Sequence, residues 1–592
     1  MNKLSEYKLD GFAQDIFRDR YAINEKETFS EACWRISDTV SQAEIEKNKQ
    51  KYLKRFFDLL LTNRFCPAGR IWSGCGRPRG NLNNCYVLPK DNMDSREGWG
   101  ETIKNTLVIS GTGGGVGINF SMVRPRGSEI KGTGGQATGS VSLMKMVNGV
   151  CEELRAGGGR RSALIFCLDY DHPDIEEFLS VKLNKKQLTN ANISVLINKQ
   201  FISLVKENKN IDLKWQGKFI KKISAKDFWN VLVENALESG DPGLLNLEYA
   251  NEMSPISYRY DLVGVNPCSE QVLPAFGVCC LGSIVLSKHV INNKFNWDML
   301  AETITLGIRF LDNIIDVTHY PLKEIEQISK NERRIGLGIM GFHDMLIMLG
   351  IKYSSTEALV FADKLMNFIK KKSYEANTYL SNEKGQFPLM DIEKHLQTGF
   401  IKTLSPSIKH RIREYGLRNC CILNSAPTGT TSILSDCSSG IEPMFAPVYE
   451  RRYNKHKDSN SDMKNRSKRI VIHPLLKRFI KEKRDISVFE GAHEISPEQH
   501  IKMQQVFQKH LDGAISKTIN ISSDGFDKNK LSKLLLDNIS TLKGITIYRD
   551  GSKGDSPLMP IPLKEAEKYF SKIEKIETKN VINDCPKGQC DL

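Results

Sequence analysis

The chain has 592 residues, enough for roughly three to five domains or for one unusually large domain. Apolar residues make up 40% and charged residues 26%, a composition that excludes collagen-like, low-complexity and wholly disordered chains. Lysine and arginine together exceed aspartate and glutamate by 14 (84 − 70), so the chain favours anionic partners such as phosphates. No apolar run is long enough to cross a membrane, and the first residues lack the apolar core of a secretion signal. We therefore expect a cytoplasmic protein that does not bind membranes.

The apolar pattern predicts three regions in chain order. Residues 1–64 have apolar spacing near 3.6 and are predicted to be helical. Between residues 65 and 552, short apolar runs alternate with longer helical patterns, which indicates an α/β architecture. Residues 553–592 are polar and predict a flexible tail. Strands are expected at about 163–168, 191–197, 284–286 and 545–548, and helices at about 226–239, 297–316, 356–381 and 495–512.

Glycine-rich segments at 111–117, 132–139 and 157–159 are expected to form turns between these elements. The segment Gly336-Leu-Gly338-Ile-Met-Gly341 also has the spacing of a dinucleotide-binding loop. Such a loop follows a buried strand, whereas residues 329–334 are too polar to form one. We therefore expect these glycines to allow close packing at the start of a helix.

Fourteen cysteines without a secretion signal indicate reduced thiols rather than a disulfide scaffold. Adjacent strand residues face opposite sides, so at most one of Cys279 and Cys280 can point into a given site. Cys585 and Cys590 lie in the predicted tail, where a dithiol could reach into a cleft. Two cysteines are too few for a zinc site, and we expect no metal-binding set of side chains.

The segment Asn266-Pro-Cys268-Ser-Glu270 is the strongest candidate for chemistry. If it is extended, an amide, a thiol and a carboxyl project from the same side. No histidine lies nearby to activate the thiol as a nucleophile, and Glu270 would raise the thiol pKa. One-electron chemistry of a neutral thiol and a surface turn with an incidental cysteine both fit this segment.

The segment Pro427-Thr-Gly-Thr-Thr-Ser432 is a run of small residues after an apolar stretch. Small residues let backbone N–H groups approach an anion, and a helix that starts there adds its positive end. The alternative interpretation is a helix N-cap rich in serine and threonine.

These segments, with others in the same order, resemble the catalytic subunit of ribonucleotide reductases. Cys268 is followed eleven positions later by Cys279, and the resemblance extends from about residue 15 to the C-terminus. The other matching segments are Asn84-Cys85-Tyr-Val, Gly113-Gly-Gly-Val-Gly-Ile-Asn-Phe120, Asp171-His-Pro-Asp-Ile-Glu-Glu-Phe178, Asn192-Ile-Ser-Val195, Gly240-Asp-Pro-Gly243, Arg334-Ile-Gly-Leu-Gly-Ile-Met-Gly341, Gly440-Ile-Glu-Pro443 and Ile547-Tyr-Arg-Asp-Gly-Ser552.

The resemblance implies a ten-stranded α/β barrel of the thiyl-radical type, with a finger loop near residue 268 at its centre. It implies that Cys268 carries the radical that abstracts the 3′-hydrogen of a ribose, while Asn266 and Glu270 act on the 3′-hydroxyl. Cys85 and Cys279 would reduce the 2′-carbon and become a disulfide. The remaining implied roles are re-reduction of that disulfide by Cys585 and Cys590 with thioredoxin or glutaredoxin, substrate binding by Asn84, Pro427, Thr428, Gly429, Thr430 and Thr431, deoxynucleotide effector binding by Asp91, and coupling of effector to substrate choice by segments 132–139 and 182–191.

The radical source separates three classes of these reductases. The glycyl-radical class carries a C-terminal Arg-Val-x-Gly-Tyr type of motif, which this sequence lacks. The class with a separate metal-containing subunit needs two adjacent tyrosines, whereas Thr546-Ile-Tyr548-Arg holds one. The remaining class uses adenosylcobalamin as the radical source. The resemblance thus implies cobalamin-dependent reduction of ribonucleotides, expected to be diphosphates, to 2′-deoxyribonucleotides.

Two alternatives stay open. One is a large subunit of the same family that needs a separate radical-generating subunit. The other is a basic nucleic-acid-binding protein, although the sequence lacks interleaved aromatic and basic residues, so we expect no nucleic-acid binding. The chain starts almost directly at the family's segment 17–22, so we expect no on/off control by dATP. A monomer and a homodimer are both compatible with the sequence.

Overall fold

The computed structural model describes most of the chain, and no helix in that part is long and apolar enough to cross a membrane. The described residues are 6–9, 11–130, 132–154, 163–453, 467–522, 527–550 and 558–565.

The α-helices and β-strands alternate along most of the chain, as the sequence predicts. The α-helices are α1 (Gly11–Arg20), α2 (Phe29–Ser41), α3 (Glu46–Leu61), α4 (Gly69–Gly74), α5 (Arg96–Gly111), α6 (Ser140–Glu153), α7 (Ile175–Ser180), α8 (Lys199–Lys206), α9 (Ala225–Ser239), α10 (Leu247–Glu252), α11 (Trp297–Val317), α12 (Lys323–Glu332), α13 (Phe342–Met348), α14 (Thr356–Lys384), α15 (Ile392–Leu396), α16 (Gly399–Lys402), α17 (Pro406–Tyr415), α18 (Gly429–Leu434), α19 (Pro474–Lys481), α20 (Pro497–Gln508) and α21 (Lys528–Asn538). The strands are β1 (Phe65–Pro67), β2 (Cys85–Val87), β3 (Gly115–Asn119), β4 (Glu129–Ile130), β5 (Gly135–Gln136), β6 (Leu164–Asp169), β7 (Ala191–Ile197), β8 (Asn210–Trp215), β9 (Lys218–Ser224), β10 (Gly243–Asn246), β11 (Gly264–Val265), β12 (Val272–Leu273), β13 (Leu281–Val285), β14 (Val290–Ile291), β15 (Lys294–Phe295), β16 (Gly336–Met340), β17 (Val448–Tyr453), β18 (Ser467–Ile472), β19 (Thr518–Ile521), β20 (Gly544–Arg549) and β21 (Leu558–Pro560).

The N-terminal region is helical, which confirms the prediction for residues 1–64 wherever they are described. Helix α2 begins with a capping box in which Thr28 and Glu31 each satisfy a backbone N–H of the first turn. Apolar residues of α2 and α3 pack against the long buried helix α11, so this region shares one core with part of the barrel.

The first half of the barrel is a parallel sheet. Strands β2, β3, β6, β7 and β10 are successive parallel neighbours. Strand β20 then pairs antiparallel with β10, and β19 pairs parallel with β20. The long apolar runs of β6 and β7 are buried on both faces, as expected for parallel strands covered by helices.

The second half closes the ring. Strand β13 pairs parallel with β16, and the isolated bridges Leu337↔Leu423 and Ser425↔Ile515 continue the parallel order toward β19. An antiparallel bridge between Tyr86 and Val278 joins β2 to the residues before β13. The ring therefore contains ten strands: β2, β3, β6, β7, β10, β20, β19 with the preceding residues 515–517, the segment 423–425, β16 and β13. This confirms the predicted ten-stranded α/β barrel.

A hairpin of β11 and β12 lies close against barrel strand β3. A Cβ atom at Gly117 would lie 1.9 Å from the carbonyl oxygen of Val265 on this hairpin. At Gly115 a Cβ would meet Pro267 at 3.0 Å and the Cys85 sulfur at 3.4 Å. We predicted a turn for the whole 111–117 segment, which is wrong for residues 115–117. These glycines lie in β3 because the hairpin passes too close for any side chain.

Candidate active site

The segment that carries Cys268 is a tight turn between β11 and β12. The Asn266 N–H donates to the Gln271 carbonyl at 3.1 Å, and the Asn266 side-chain oxygen accepts from the Gln271 N–H at 2.9 Å. Ser269 has a left-handed backbone with φ +66°. The segment is therefore not extended, the condition on which the same-side arrangement of its side chains depended, because Asn266 closes the turn with its own side chain. Cys268 lies near the tip of that turn.

Cys85 and Cys279 are neighbours across the β2 edge, although 194 residues separate them (279 − 85). The Cys279 N–H donates to the Cys85 carbonyl at 3.0 Å, and the Asn84 N–H donates to the Cys279 carbonyl at 3.3 Å. Both thiols are free and buried, with 7% of Cys85 and 1% of Cys279 exposed. The two side chains also share a small apolar cluster with Leu281 and Ala426.

The Cys268 thiol interacts directly with that of Cys85. A hydrogen bond with Cys85, burial and the nearby carboxyl of Glu270 together raise the pKa of Cys268 well above its usual value of 9.0. The same hydrogen bond lowers the pKa of Cys85, but burial and the neighbouring Cys279 and Glu270 leave it raised. The residue as a whole is exposed, whereas the protein groups around its sulfur desolvate the thiol. Burial also raises the pKa of Cys279 well above its usual value. All three thiols are therefore neutral at pH 7, as the sequence predicts for Cys268.

Glu270 is buried on the same turn, with 1% of the residue exposed. Burial raises its pKa from 4.5 to about 7, while the neighbouring side chain of Asn266 acts in the opposite direction. Its Oε2 atom has no hydrogen-bond partner within the described chain. A carboxyl with this pKa can both accept and donate a proton near neutral pH.

Two amides of the site also have unused hydrogen-bonding capacity. The Nδ2 of Asn266 and the Oδ1 of Asn84 are buried and lack partners in the part of the chain that is described. Buried polar atoms are nearly always paired, so such atoms beside a thiol indicate a ligand site. The structure thus brings together Asn84, Cys85, Asn266, Cys268, Glu270 and Cys279.

Residues 427–428 form a turn that leads into α18, and residues 429–431 are the first residues of that helix. Thr428 has a left-handed backbone with φ +46°, and its hydroxyl accepts a 2.9 Å hydrogen bond from the Gly440 N–H. Gly429 is exposed, and a Cβ there would meet open space. Thr431 is buried, and Pro427 and Thr430 are half-buried. The turn therefore presents a short stretch of backbone to the outside.

An N-terminal tyrosine supports this turn, a contact that sequence analysis missed. The hydroxyls of Tyr21 and Thr430 are hydrogen-bonded at 2.5 Å. Tyr7 makes a second contact, because its hydroxyl donates to the Leu434 carbonyl at 3.1 Å. Nothing local in the sequence links residues some 400 positions apart, so only the resemblance could have suggested this proximity.

Comparison with known proteins identifies the family. A model of the ribonucleotide reductase barrel domain matches residues 83–548, and a model of the all-alpha domain of the same enzymes matches residues 7–80. The chain belongs to the ribonucleotide reductase family. The predicted fold and family are confirmed.

Among similar curated proteins are two named vitamin B12-dependent ribonucleoside-diphosphate reductase. The protein from Thermoplasma acidophilum is 35% identical over 568 residues, which cover 91% of this chain and 72% of the relative. The protein from Mycobacterium tuberculosis is 30% identical over 597 residues, covering 96% and 83%. A relative from Chlamydia trachomatis named ribonucleoside-diphosphate reductase subunit alpha is 26% identical over 606 residues, covering 90% and 56%.

The radical source of this family member depends on whether a tyrosine side chain lies beside the turn that carries Cys268 and Ser269. A cavity of about 10 Å³ lies there, and Thr546 is among its lining residues. Tyr548 is two positions further along β20 and is half-buried. The β20 side chain beside the Cys268 turn (the finger turn) is thus a threonine, which cannot carry an oxidised intermediate as a tyrosine can. The other lining residues are Ser194, Leu244, Leu245, Ile515, Lys517, Gly544 and Ile545.

The remaining sequence predictions for this reductase fall in three places. Asp91 is exposed in the turn after β2, and the two segments 132–139 and 182–191 lie partly in β4–β5 and before β7. Cys585 and Cys590 lie outside the described residues. Cys280 faces away from the site, since its thiol donates to the Leu311 carbonyl in the outer core, which confirms that Cys279 and Cys280 point in opposite directions.

The glycines at 336 and 338 have a different role from the predicted one. They lie within strand β16, and only Gly341, with φ +69°, precedes helix α13. The absence of side chains at 336 and 338 makes room for Asn424 from the neighbouring segment. Sequence analysis missed Asn424, and its only local signal is a polar residue after the apolar run Ile422-Leu423.

Proposed function

We propose that the chain reduces ribonucleoside diphosphates to 2′-deoxyribonucleoside diphosphates with vitamin B12, as adenosylcobalamin, as its radical source. The observation that supports this most strongly is the grouping of Cys268 with Cys85 and Cys279 beside a buried carboxyl. The overall change consumes one ribonucleotide and two thiols, and yields one deoxyribonucleotide, one disulfide and one water.

Each residue of the turn has a role in this proposal. Cys268, as a thiyl radical, removes the 3′-hydrogen of the ribose and later returns it. Glu270 accepts the proton of the 3′-hydroxyl, for which a pKa of about 7 is well matched. The unpaired Nδ2 of Asn266 and Oδ1 of Asn84 would hydrogen-bond to the sugar.

Cys85 and Cys279 supply the two electrons. Their backbones are hydrogen-bonded to each other, so their side chains start from neighbouring positions. Loss of the 2′-hydroxyl as water is accompanied by formation of the disulfide between them. Cys585 and Cys590 would then reduce this disulfide by thiol exchange, and thioredoxin or glutaredoxin would reduce the tail.

The phosphates of the substrate would bind at the start of α18. Pro427 and Thr428 precede this helix, and Gly429, Thr430 and Thr431 begin it. This stretch exposes backbone next to small side chains. Asp91 would contribute to a separate site for a deoxynucleotide effector. The excess of positive charge in the chain favours both nucleotides.

The cofactor would approach Cys268 from the solvent side. Cys268 is exposed, so a radical source from outside the chain can reach this residue. Adenosylcobalamin, when bound, supplies the radical that activates Cys268.

The test is an assay of the purified chain with adenosylcobalamin, dithiothreitol and cytidine diphosphate. We expect deoxycytidine diphosphate without any second protein. Cys268→Ser should abolish product while nucleotide binding is kept, and Cys280→Ala, the matched control on the opposite face, should retain activity. A strict requirement for a second protein subunit would instead support the subunit-dependent alternative.

A further inference from the structure

Asn424 is a buried amide without hydrogen bonds. Only 1% of the residue is exposed. Within the described chain neither its Nδ2 nor its Oδ1 has a partner. An unpaired amide in the interior destabilises a fold, so such a group points to a partner that the chain itself does not supply.

The barrel leaves a slot for this amide. A Cβ at Gly336 would lie 2.7 Å from the Asn424 Nδ2, and a Cβ at Gly338 would lie 3.4 Å from its Oδ1. A side chain at 336 would displace the amide, whereas a Cβ at 338 would only touch it. The slot is therefore formed jointly by strand β16 and the segment 423–425.

The amide projects from the face of its segment that also carries Ala426. Leu423 and Ser425 bridge the strands on either side, so this segment is extended and its side chains alternate. Ala426 packs with Cys85 and Cys279, and Asn424, two positions earlier, projects from the same face. Leu281 connects the two places, since its Cδ2 would lie 2.5 Å from the same Cβ at Gly336.

The same segment continues into the turn proposed for the phosphates. Thr428 is only four residues after Asn424, and Ala426 between them belongs to the apolar cluster of the cysteine pair. A nucleotide that reaches from the cysteines to the turn must pass along residues 424–428. Its sugar hydroxyls and phosphate oxygens are the groups that an amide can bind.

We propose that Asn424 is a substrate-contacting residue whose amide hydrogen-bonds the ribose–phosphate part of a ribonucleoside diphosphate. The inference rests on the proposed reductase function, because it takes the substrate to lie between Cys279 and Thr428. The side chain of Asn424 would add a substrate hydrogen bond from a residue outside the sequence motifs of the active site.

The experiment compares Asn424→Leu with wild type in equilibrium binding of cytidine diphosphate, in Tm and in kcat/KM. Loss of one neutral hydrogen bond should weaken binding and kcat/KM by roughly five- to tenfold. The Tm should stay unchanged or rise, since the leucine removes an unpaired amide of similar size.

Asn419→Leu is the matched control. Asn419 is equally buried, but its side chain donates to Asp312 at 3.0 Å and to the Arg333 carbonyl at 2.8 Å, and accepts from Asn377 at 2.7 Å. The control should lower the Tm. If both variants weaken binding by the same factor, the loss is structural and the proposal is wrong.

Unchanged cytidine diphosphate binding in Asn424→Leu would also overturn the proposal, whatever its Tm. A lower Tm with unchanged binding would assign the amide to a buried water. Failure of the proposed function is recognised separately, because wild type would then bind cytidine diphosphate without producing deoxycytidine diphosphate.

Discussion

The amide nitrogen of Cys279 donates a 3.0 Å hydrogen bond to the carbonyl oxygen of Cys85. This bond fixes two thiols from distant parts of the sequence on adjacent strands of the barrel. It also sets the stoichiometry that the proposed chemistry must obey, since the pair can supply two electrons and then needs reduction.

The first prediction concerns that stoichiometry. In Cys585→Ser with Cys590→Ser, and without added dithiol, we expect one deoxynucleotide per chain, because only the Cys85–Cys279 pair remains to be oxidised. Dithiothreitol should restore continuous turnover, and thioredoxin should not. Product counting in a quenched assay measures both; if dithiothreitol fails to rescue the variant, the tail is not a shuttle.

The second prediction follows from the pKa of Glu270. Burial raises this pKa from 4.5 to about 7, and the ionised form is needed to accept a proton. The value of kcat/KM should therefore rise with pH and level off above about 7. Glu270→Gln should be strongly impaired and should lose this rise. A wild-type profile that is flat between pH 5.5 and 8 would contradict the role of Glu270.

Stability should show the opposite trend for the same group. The folded protein binds this proton more tightly than the unfolded chain, so the stabilisation is complete below pH 4.5 and is lost as the pH rises through about 7. The contribution to the free energy of unfolding is about 3 kcal/mol. Urea unfolding at pH 5 and pH 8 should show it in wild type and not in Glu270→Gln.

The third prediction separates the two possible radical sources. Because Thr546 rather than a tyrosine lies beside the finger turn, Tyr548 should have no part in radical transfer. Tyr548→Phe should retain turnover with adenosylcobalamin within about twofold, because a hydroxyl without a role in radical transfer can be removed at little cost. A loss of several hundredfold with unchanged Tm would favour a protein subunit as the source.

The fourth prediction concerns the contact between Tyr21 and Thr430. Removing the Tyr21 hydroxyl should loosen the phosphate turn and raise KM for cytidine diphosphate by roughly two- to tenfold, with kcat little changed. Tyr7→Phe is the control, since Tyr7 contacts the Leu434 carbonyl outside the turn. Equal KM values for the two variants would argue against phosphate binding at this turn.

Much of the fold follows from local patterns. The predicted strands at about 191–197 and 545–548 correspond to β7 and β20, and the predicted helix at about 297–316 corresponds to α11. The apolar residues of these segments recur regularly over enough positions to distinguish a helix from a strand. The sequence did not predict that residues 115–117 and 336–338 lie in strands. A glycine in a strand is required when another part of the chain packs closely against it, and a local sequence pattern does not show that neighbour.

The site was predictable only in part. The resemblance named Cys85 and Cys279, and the structure brings them together; local physics alone gives no reason to pair residues so far apart in sequence. The turn at Cys268 differs from the extended form because a side-chain bond of Asn266 overrides the strand-like alternation. Asn424 was missed since its slot depends on two glycines about 90 residues earlier.

The central claim is that the sulfur of Cys268 takes the 3′-hydrogen from the substrate. The most direct measurement is the rate of product formation from cytidine diphosphate carrying deuterium or hydrogen at C3′, in wild type and in Cys268→Ser. The account predicts slower turnover of the deuterated substrate by wild type and no product from the serine variant. Equal rates for both substrates, or product from Cys268→Ser, would contradict it.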